Sequence, residues 1–317
     1  MRCFFAHRRH VREVDRYHVR VARANLLDTP VLGVSLRNVS LLRLDQTGGL
    51  APGNKSFKLC QYLTQAKQAG AERLVSFGGA WSNHLHALAA LGYQHGIETV
   101  GIVRKEATEG NSAMLADAAR WGMGILHVSR TEYRRRNDVE YQQELSARFA
   151  PCLLIPEGGA SLIGVRGCAD IGEIIRRRAP QARSIVVPVG TGTTLAGLAS
   201  TLDIRCELHG ISALKGAFDL EQKVADVLQA LQLDCEVRWS ICHEFHCGGF
   251  ARVDAALRDF MLAFEAIQGV ELDPVYTGKM LFAIHQLRKR GEWDPEAPVL
   301  AIHTGGLQGR RGYPWMK

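Results

Sequence analysis

The chain has 317 residues, of which 46% are hydrophobic and 22% charged, a composition typical of a globular protein with a sizeable buried core. Its longest apolar runs are strand-sized and fall far short of the roughly 20 residues that a membrane helix needs. The formal net charge is +7, but the arginine clusters at 134–136 and 176–178 lie among acids or close a predicted helix. The composition therefore predicts neither a membrane nor nucleic acid as a partner.

The N-terminal stretch Met1–Asn25 is rich in arginine, but Glu13 and Asp15 interrupt it and no apolar core with a cleavage site follows. The eight cysteines form no CxxC pair, and Cys152 and Cys206 fall in apolar, strand-like segments. They are interpreted as reduced, buried thiols. Both observations predict a cytoplasmic protein, with a transit peptide as the alternative.

From Arg73 onward, short apolar runs alternate with amphipathic stretches of helix length, which is the pattern of βα units in a parallel sheet. The predicted strands are Leu74–Phe77, Thr99–Val103, Ile125–Val128, Leu153–Pro156, Ser184–Val189, Leu208–Ser212, Val237–Ile241 and Val299–His303. Helices are predicted over Ser82–His95, Ser112–Trp121, Val165–Arg178 and Gly278–Arg290. No repeat or linker separates these elements, so any second domain must be inserted into the first.

Ligands of an open parallel sheet bind at the carboxyl ends of its strands, where glycine-rich turns are predicted here. In chain order the turns are GGAWSN at 78–83, GTGTT at 190–194 and HTGG at 303–306, and GNKS at 53–56 opens a further helix. Taken singly, each has a plain interpretation as a tight turn, a helix cap at Ser82 or a solvated lysine. Together they predict a cleft for a flat, phosphorylated ligand.

The turn at 190–194 has the composition of a phosphate site. Two glycines let the backbone approach an anion, three hydroxyls supply donors, and the start of a helix adds partial positive charge. The turn lacks the GK[ST] ending of a nucleotide P-loop and the GxGxxG spacing of a dinucleotide fold. It therefore predicts a phosphate site of another kind.

A compact run of metal-competent side chains lies near the predicted strand Val237–Ile241. Cys242, His243, His246 and Cys247 stand within six residues. Structural zinc usually takes its ligands from two separated motifs so that a tetrahedron can close, and this run is too compact for that. No metal site is predicted.

The chain resembles the fold-type II pyridoxal-phosphate enzymes in five ordered motifs. They are GNKSFKL around Lys55, SFGGAWSNH around Ser82, VGTGTTLAG around Gly192, LDPVYTGK around Tyr276 and HTGG around Thr304. Within that family the chain is most similar to the group of D-cysteine desulfhydrase and 1-aminocyclopropane-1-carboxylate deaminase. The resemblance implies an α/β fold of two open, twisted, mostly parallel sheets flanked by helices. It also implies a larger cofactor domain (1–56 and 164–317) with a smaller α/β domain (57–163) inserted in it.

The resemblance assigns roles to individual residues. Lys55 would carry pyridoxal 5′-phosphate as a Schiff base and then move the substrate α-proton, and Ser82 would bind the substrate carboxylate or assist proton transfer. Independently of the resemblance, helical spacing predicts that Lys58 lies on the same side of its helix, set back from the cleft, where its charge helps to keep Lys55 deprotonated. The implied catalytic residues are Lys55, Ser82 and Tyr276. The implied cofactor-binding residues are Lys55, Asn83 at the 3-hydroxyl, Gly190, Thr191, Gly192, Thr193 and Thr194 at the phosphate, and Thr277 and Thr304.

Thr277 and Thr304 bear on the type of reaction, because the deaminases of this group carry glutamate and leucine at these positions. The hydroxyl pattern predicts a lyase that eliminates a β-substituent from D-cysteine or a related small amino acid, releasing pyruvate, ammonia and the leaving group. Phe250 replaces the second tyrosine of the desulfhydrases, which leaves the exact substrate open. The alternatives are ring-opening deamination or sulfonate elimination on the same scaffold, and a cofactor-binding protein without strong catalysis. A homodimer is the default expectation.

Overall fold

The computed structural model of the protein describes residues 27–104, 112–232 and 235–316. The arginine-rich stretch Met1–Asn25 lies outside the described residues. Within the described ranges, the strands in chain order are β1 (Leu27–Val31), β2 (Val34–Leu36), β3 (Val39–Arg43), β4 (Arg73–Gly79), β5 (Glu98–Arg104), β6 (Gly124–Val128), β7 (Cys152–Ile155), β8 (Ser184–Val189), β9 (Glu207–Ser212), β10 (Arg238–Cys242) and β11 (Val299–His303).

The α-helices of the described ranges are α1 (Asn54–Ala69), α2 (Asn83–His95), α3 (Ala113–Arg120), α4 (Arg130–Arg134), α5 (Val139–Arg148), α6 (Leu162–Arg178), α7 (Thr193–Ala199), α8 (Leu220–Ala230), α9 (Ala255–Gln268) and α10 (Thr277–Lys289). A 3-10 segment, Leu307–Gly312, follows the last strand. Helices therefore alternate with strands through most of the chain.

Two parallel sheets form the framework. The larger has the strand order β10-β9-β8-β11-β3 and the smaller the order β6-β5-β4-β7, while β1 and β2 form a separate antiparallel hairpin. The last strand, β11, thus lies between β8 and β3, the first strand of its sheet. The strands of the smaller sheet all fall within 57–163, the range proposed for the smaller domain.

Both sheets are buried on both faces. The larger is covered on one face by α6, α7 and α8 and on the other by α9 and α10. The smaller is covered by α1, α2 and α3 on one face and by α4 and α5 on the other. Burial on both faces explains why the central strands β8 and β11 are near-continuous apolar runs, whereas the edge strands β6 and β10 are partly exposed.

The predicted α/β fold with parallel sheets is confirmed, and the eight predicted strands agree with β4 to β11 to within two residues at each end. Helix α6 begins three residues before the predicted Val165, because the Ser161 side chain accepts hydrogen bonds from the N–H groups of Ile163 and Gly164. Strands β1, β2 and β3 were not predicted. They precede the alternating pattern, and β3 is identified only by its pairing with the distant β11.

None of the cysteines within the described residues forms a disulfide. Cys206 is buried as predicted, whereas Cys152 is only half-buried because it begins an edge strand, β7. In the same ranges, no group of three or more His, Cys, Asp or Glu side chains could hold a metal ion. His243 instead lies 2.7 Å from a carboxylate oxygen of Glu221. None of the described helices combines the length and apolar character needed to cross a bilayer.

Helices α1 and α6 pack closely because a glycine stands at their contact. A β-carbon built on Gly167 of α6 would lie 2.2 Å from the carbonyl oxygen of Phe57 in α1, and backbone cannot yield locally as a flexible side chain can. This contact joins α1, which begins within the GNKS motif, to α6, which covers one face of the larger sheet.

We predict that Gly167→Ala lowers the free energy of unfolding by about 2–3 kcal/mol, because the overpacking outweighs the helix propensity gained. The matched control is Gly124→Ala in β6, where a β-carbon meets nothing closer than 3.7 Å. That variant should be neutral or more stable by about 0.5 kcal/mol. Denaturant unfolding of both variants is the measurement, and equal stability would refute the close approach of the helices.

Candidate active site

The carboxyl ends of strands from both sheets meet at one cavity of about 720 Å³. Its walls come from the turns after β4, β7, β8, β9 and β11, the end of β5, helix α4, residues 250–251, the start of α1 and the segment before α10. The predicted site residues that line it are Lys55, Ser82, Asn83, Gly190, Thr191, Gly192, Thr193, Thr194, Tyr276 and Thr304. Thr277 is fully buried and is not part of the lining.

The position of Lys55 is set by a backbone contact between the first and last motifs. Gly53 forms an isolated antiparallel bridge with Gly305, and the N–H of Asn54 donates to the carbonyl of Thr304 at 3.0 Å. Gly53 has a φ of 127°, and a β-carbon there would lie 2.5 Å from the Thr304 oxygen. Only glycine fits such a site, so α1 begins at the carboxyl end of β11 and Lys55 stands in its first turn.

The Lys55 amine lies in a setting that disfavours its protonated form. Its Nζ donates to Asn54 Oδ1 at 3.1 Å and lies 5.7 Å from the centroid of the Tyr276 ring. Burial lowers the pKa of Lys55 to about 7, and the nearby Lys58 cation acts in the same direction. A lysine with such a pKa is substantially neutral at physiological pH and can act as a nucleophile or base.

Lys58 is less remote than predicted. It is buried, its Nζ donates to the carbonyl of Gly158 at 3.3 Å, and it forms part of the cavity wall rather than standing behind it. Burial lowers the pKa of the Lys58 amine as well. The two lysines therefore approach the cavity from one helix.

His84 is a site residue that the sequence reasoning missed, although it directly follows Ser82 and Asn83. Its Nε2 lies 2.8 Å from Ser76 Oγ, and Ser76 donates its own proton to the carbonyl of Ile155. This network assigns the proton to Nε2 and leaves Nδ1 as an acceptor, for which no partner exists among the described residues. Burial and the two lysine cations lower the pKa of His84 to about 3, so the ring is neutral.

Ser82 is both a helix cap and a cavity residue. Its Oγ accepts from the N–H of Leu85 at 3.2 Å, which caps α2 and leaves the hydroxyl proton able to donate toward the cavity. Asn83 spans the cleft, since its Oδ1 accepts from Gln308 Nε2 at 2.5 Å. A β-carbon on Gly306 would lie 2.5 Å from Asn83 Nδ2, which leaves little space between the two sides.

The turn at 190–194 keeps its donors available for a ligand. Helix α7 has only seven residues, and the N–H groups of its first turn have no acceptor within the helix. The hydroxyls of Thr191 and Thr193 hydrogen-bond to each other at 2.8 Å, so one of their two protons stays available, and Thr194 Oγ1 accepts from Asn54 Nδ2 at 2.9 Å. Asn54 thereby links this turn to Lys55. A phosphate group fits these backbone and hydroxyl donors.

Asp273 is a second residue that the sequence reasoning missed. It lies four residues before Thr277, and its carboxylate accepts hydrogen bonds at the start of α10. One oxygen accepts from the N–H groups of Val275 and Tyr276 at 3.0 and 2.8 Å. The other accepts from the N–H and the hydroxyl of Thr277 at 2.8 and 2.6 Å. The four acceptor positions of the carboxylate are therefore filled by four donors.

Tyr276 lies between Lys55 and the loop that carries Phe250. Its ring centroid is 6.4 Å from that of Phe250, and a β-carbon on Gly190 would lie 3.1 Å from the Tyr276 ring. Burial raises the pKa of the Tyr276 hydroxyl, with the Asp273 carboxylate acting in the same direction. The phenol is therefore protonated over the physiological range.

Comparisons with known proteins agree with this geometry. Residues 23–305 match the family described as "Pyridoxal-phosphate dependent enzyme". A provisionally named 1-aminocyclopropane-1-carboxylate deaminase of Pyrococcus horikoshii is 29% identical over 292 residues, 87% of this chain and 86% of that protein. The D-cysteine desulfhydrase of Klebsiella pneumoniae is 26% identical over 297 residues, 87% of this chain and 89% of the relative.

A crystal structure of an ACC deaminase homologue has a similar fold, with a TM-score of 0.76 at 27% identity. The match covers 87% of this chain and 86% of that chain. The relatives thus carry names of both kinds, a deaminase and a desulfhydrase.

We predict that the purified protein is yellow and that borohydride reduction fixes pyridoxal phosphate on Lys55. The pKa of Lys58 is lowered too, but only Lys55 is joined through Asn54 to the 190–194 turn. Peptide mapping of the reduced protein is the measurement. An adduct on Lys58, or none, would overturn the assignment.

The same assignment predicts a pH dependence. Only the deprotonated amine attacks an aldehyde, so cofactor capture by the apo-protein should accelerate as the pH rises through about 7, far below the ordinary lysine value of 10.5. Lys58→Met should move this midpoint to higher pH, because it removes a neighbouring cation. Stopped-flow absorbance across the pH range measures both midpoints, and an unperturbed lysine midpoint would contradict the prediction.

Proposed function

Because the chain belongs to the family of pyridoxal-phosphate dependent enzymes, we propose that it is a lyase that acts on D-cysteine or a related small amino acid. The reaction would break the bond between the β-carbon and its substituent and consume one water, so that D-cysteine yields hydrogen sulfide, pyruvate and ammonia. Similarity to the D-cysteine desulfhydrase of Klebsiella pneumoniae supports this choice. The cofactor is pyridoxal 5′-phosphate.

Lys55, Ser82 and the 190–194 turn have distinct roles in the proposed reaction. Lys55 Nζ, with a pKa near 7, can hold the cofactor covalently and, once released, take or return the proton at the substrate α-carbon. Ser82 donates to the substrate carboxylate, and the turn at 190–194 holds the phosphate. When bound, the cofactor supplies a sink for the negative charge that develops at the α-carbon.

One observation carries the choice of β-elimination, namely that no free carboxylate oxygen faces the site from the segment before α10. The position after Tyr276 is Thr277, and all four acceptor positions of Asp273 are filled by hydrogen bonds. A carboxylate beside a ring nitrogen would stabilise its proton and strengthen the electron sink. Without one, reactions that expel a good leaving group promptly are favoured over reactions that need a long-lived carbanion.

Ring opening of 1-aminocyclopropane-1-carboxylate is the first alternative, and the relative from Pyrococcus horikoshii supports it to the same degree. The cyclopropane carbon is a poor leaving group, so this reaction gains most from a strong electron sink. Neither threonine supplies a carboxylate there, since the buried Thr277 hydroxyl donates to Asp273 and Thr304 is the one of the two that lines the cavity. β-Elimination and ring opening can therefore be told apart by which amino acid the enzyme turns over.

Sulfonate elimination is a second alternative, and Arg104 favours it. Arg104 ends β5 and lines the same cavity as Lys55. Its guanidinium lies 5.8 Å from the ring centroid of Tyr133 and forms no ion pair with any residue that the structure describes. A guanidinium there would favour an anionic β-substituent by charge and by bidentate geometry.

We predict that Ser82→Ala retains the cofactor but loses at least about 100-fold in kcat/KM, because a donor to the reacting substrate is removed. The loss of the cap should cost about 1 kcal/mol of stability. Ser129→Ala is the matched control, since the exposed Ser129 caps α4 in the same way, by accepting from the N–H of Glu132, without lining the cavity. Kinetics and melting curves separate the effects, and full activity in Ser82→Ala would leave Ser82 as a cap alone.

The proposed function is tested by a substrate panel followed through release of the keto acid. We expect pyruvate from D-cysteine and β-chloro-D-alanine, and no 2-oxobutyrate from the cyclopropane amino acid. The paired variant Thr277→Glu with Thr304→Leu should lower the elimination activity, because it replaces the hydroxyls by the carboxylate and leucine of the deaminases.

Each alternative has its own outcome in this panel. Efficient ring opening by the unmodified enzyme would show that the two threonines do not decide the chemistry. Turnover of D- or L-cysteate that depends on Arg104, tested with Arg104→Met, would favour the sulfonate. Failure of the loaded enzyme to turn over even β-chloroalanine would leave a cofactor-binding protein.

A further inference from the structure

Lys279 is a buried lysine that neither the cofactor site nor the proposed chemistry uses. It is the third residue of α10, and only 1% of its surface is exposed. Its Nζ donates to the carbonyl of Gly249 at 2.7 Å and to the carbonyl of Ala213 at 3.3 Å. A single ammonium group therefore joins two loops that lie on either side of it.

Both loops lead directly into the cavity wall. Leu214 follows Ala213, and Phe250 and Ala251 follow Gly249, and all three line the cavity. Phe250 is 56% exposed and makes an edge contact with the ring of Tyr276. The carbonyls held by Lys279 are thus one residue away from the side chains that a substrate would meet.

The loop around Phe250 adopts a conformation that needs outside support. Cys247 and Ala251, which are not glycines, have φ values of 48° and 56°, and Gly248 and Gly249 between them have φ values of 92° and 114°. Left-handed backbone is unfavourable for side chains with a β-carbon, and it persists only where the surroundings enforce it. Beyond Lys279, the loop is held by the hydroxyl of Tyr313, which donates to the Ala251 carbonyl at 2.9 Å.

The charge of Lys279 is directed at these carbonyls. Within the described residues it forms no ion pair, and the groups that face it are the Asp254 and Asp273 carboxyls and the Cys247 thiol. Burial lowers the pKa of Lys279 to about 8, which reflects the cost of keeping a cation there. A buried cation with main-chain acceptors holds those acceptors more strongly than a neutral donor would.

We propose that Lys279 is a positioning residue that sets the substrate-side wall of the cavity by holding the loops at 213–214 and 247–251. The proposal rests on the cavity being the place where a small amino acid is bound. It does not depend on which substituent that amino acid loses. Lys279 acts through Phe250 and Leu214 rather than by touching the substrate.

Limited trypsin digestion of the holoenzyme tests the proposal, because Arg252 is exposed and directly follows the loop. We expect Lys279→Met to speed cleavage after Arg252 by roughly fivefold or more, since the loop opens more often. Where the enzyme turns over an amino acid, its KM should rise about fivefold while kcat changes by less than about twofold. The cofactor absorbance maximum should stay unchanged, because the loops held by Lys279 do not include the predicted cofactor residues.

The matched control is Lys289→Met, which removes an exposed lysine from the same helix and should behave like the wild type. Lys279→Gln keeps a donor on a shorter side chain, so its cleavage rate and KM should lie between those of the wild type and of Lys279→Met. This variant also tests the proposal if Lys279→Met does not fold. Wild-type cleavage and wild-type KM in the variants that fold would overturn the proposal. Cleavage requires no turnover, so failure of the D-cysteine assay would count against the proposed function alone.

Discussion

The site depends on one backbone contact, the approach of Gly53 to Thr304 and Gly305. The bridge between Gly53 and Gly305 leaves no space for a β-carbon on either residue. It fixes the start of α1 at the carboxyl end of β11, and so it fixes Lys55 relative to the larger sheet. The strand order makes this possible, because β11 lies between β8, which leads into the 190–194 turn, and β3, which leads toward Gly53.

The electrostatics of the cavity follow from that placement. Two lysines of one helix lie at the cavity, Lys58 buried and Lys55 half-buried; the Lys58 cation lowers the pKa of Lys55, and both amines lower the pKa of His84. The nearby Asp273 carboxylate accepts four hydrogen bonds from the start of α10, so it has no free acceptor position for the amines or for a ligand ring. A neutral lysine amine and a neutral His84 coexist there because the burial of each group disfavours its charged form.

The two sides of the cleft are also joined near the end of the chain. In the segment after β11, Gln308 donates to Asn83 and Arg311 donates to Asp117 of α3, both on the side of the smaller sheet. Arg310 of the same segment instead contacts Glu265 of α9 and the carbonyl of Leu272, on the side of the larger sheet. Neighbouring arginines thus bind opposite walls, and the geometry of the cleft depends on a short segment that contributes little to either core.

Local pattern in the sequence determined the βα alternation, the strands β4 to β11 and the turns that meet at the cavity, because glycine, cap and apolar periodicity are properties of neighbouring residues. The motif order also identified Lys55, Ser82 and the 190–194 turn as candidates before any contact was visible. Only the tertiary structure placed β11 beside β3, brought His84 and Asp273 to the site and set Lys279 beneath two loops. Those relations join residues far apart in the chain, and burial, hydrogen-bond saturation and pKa depend on what surrounds a group in space.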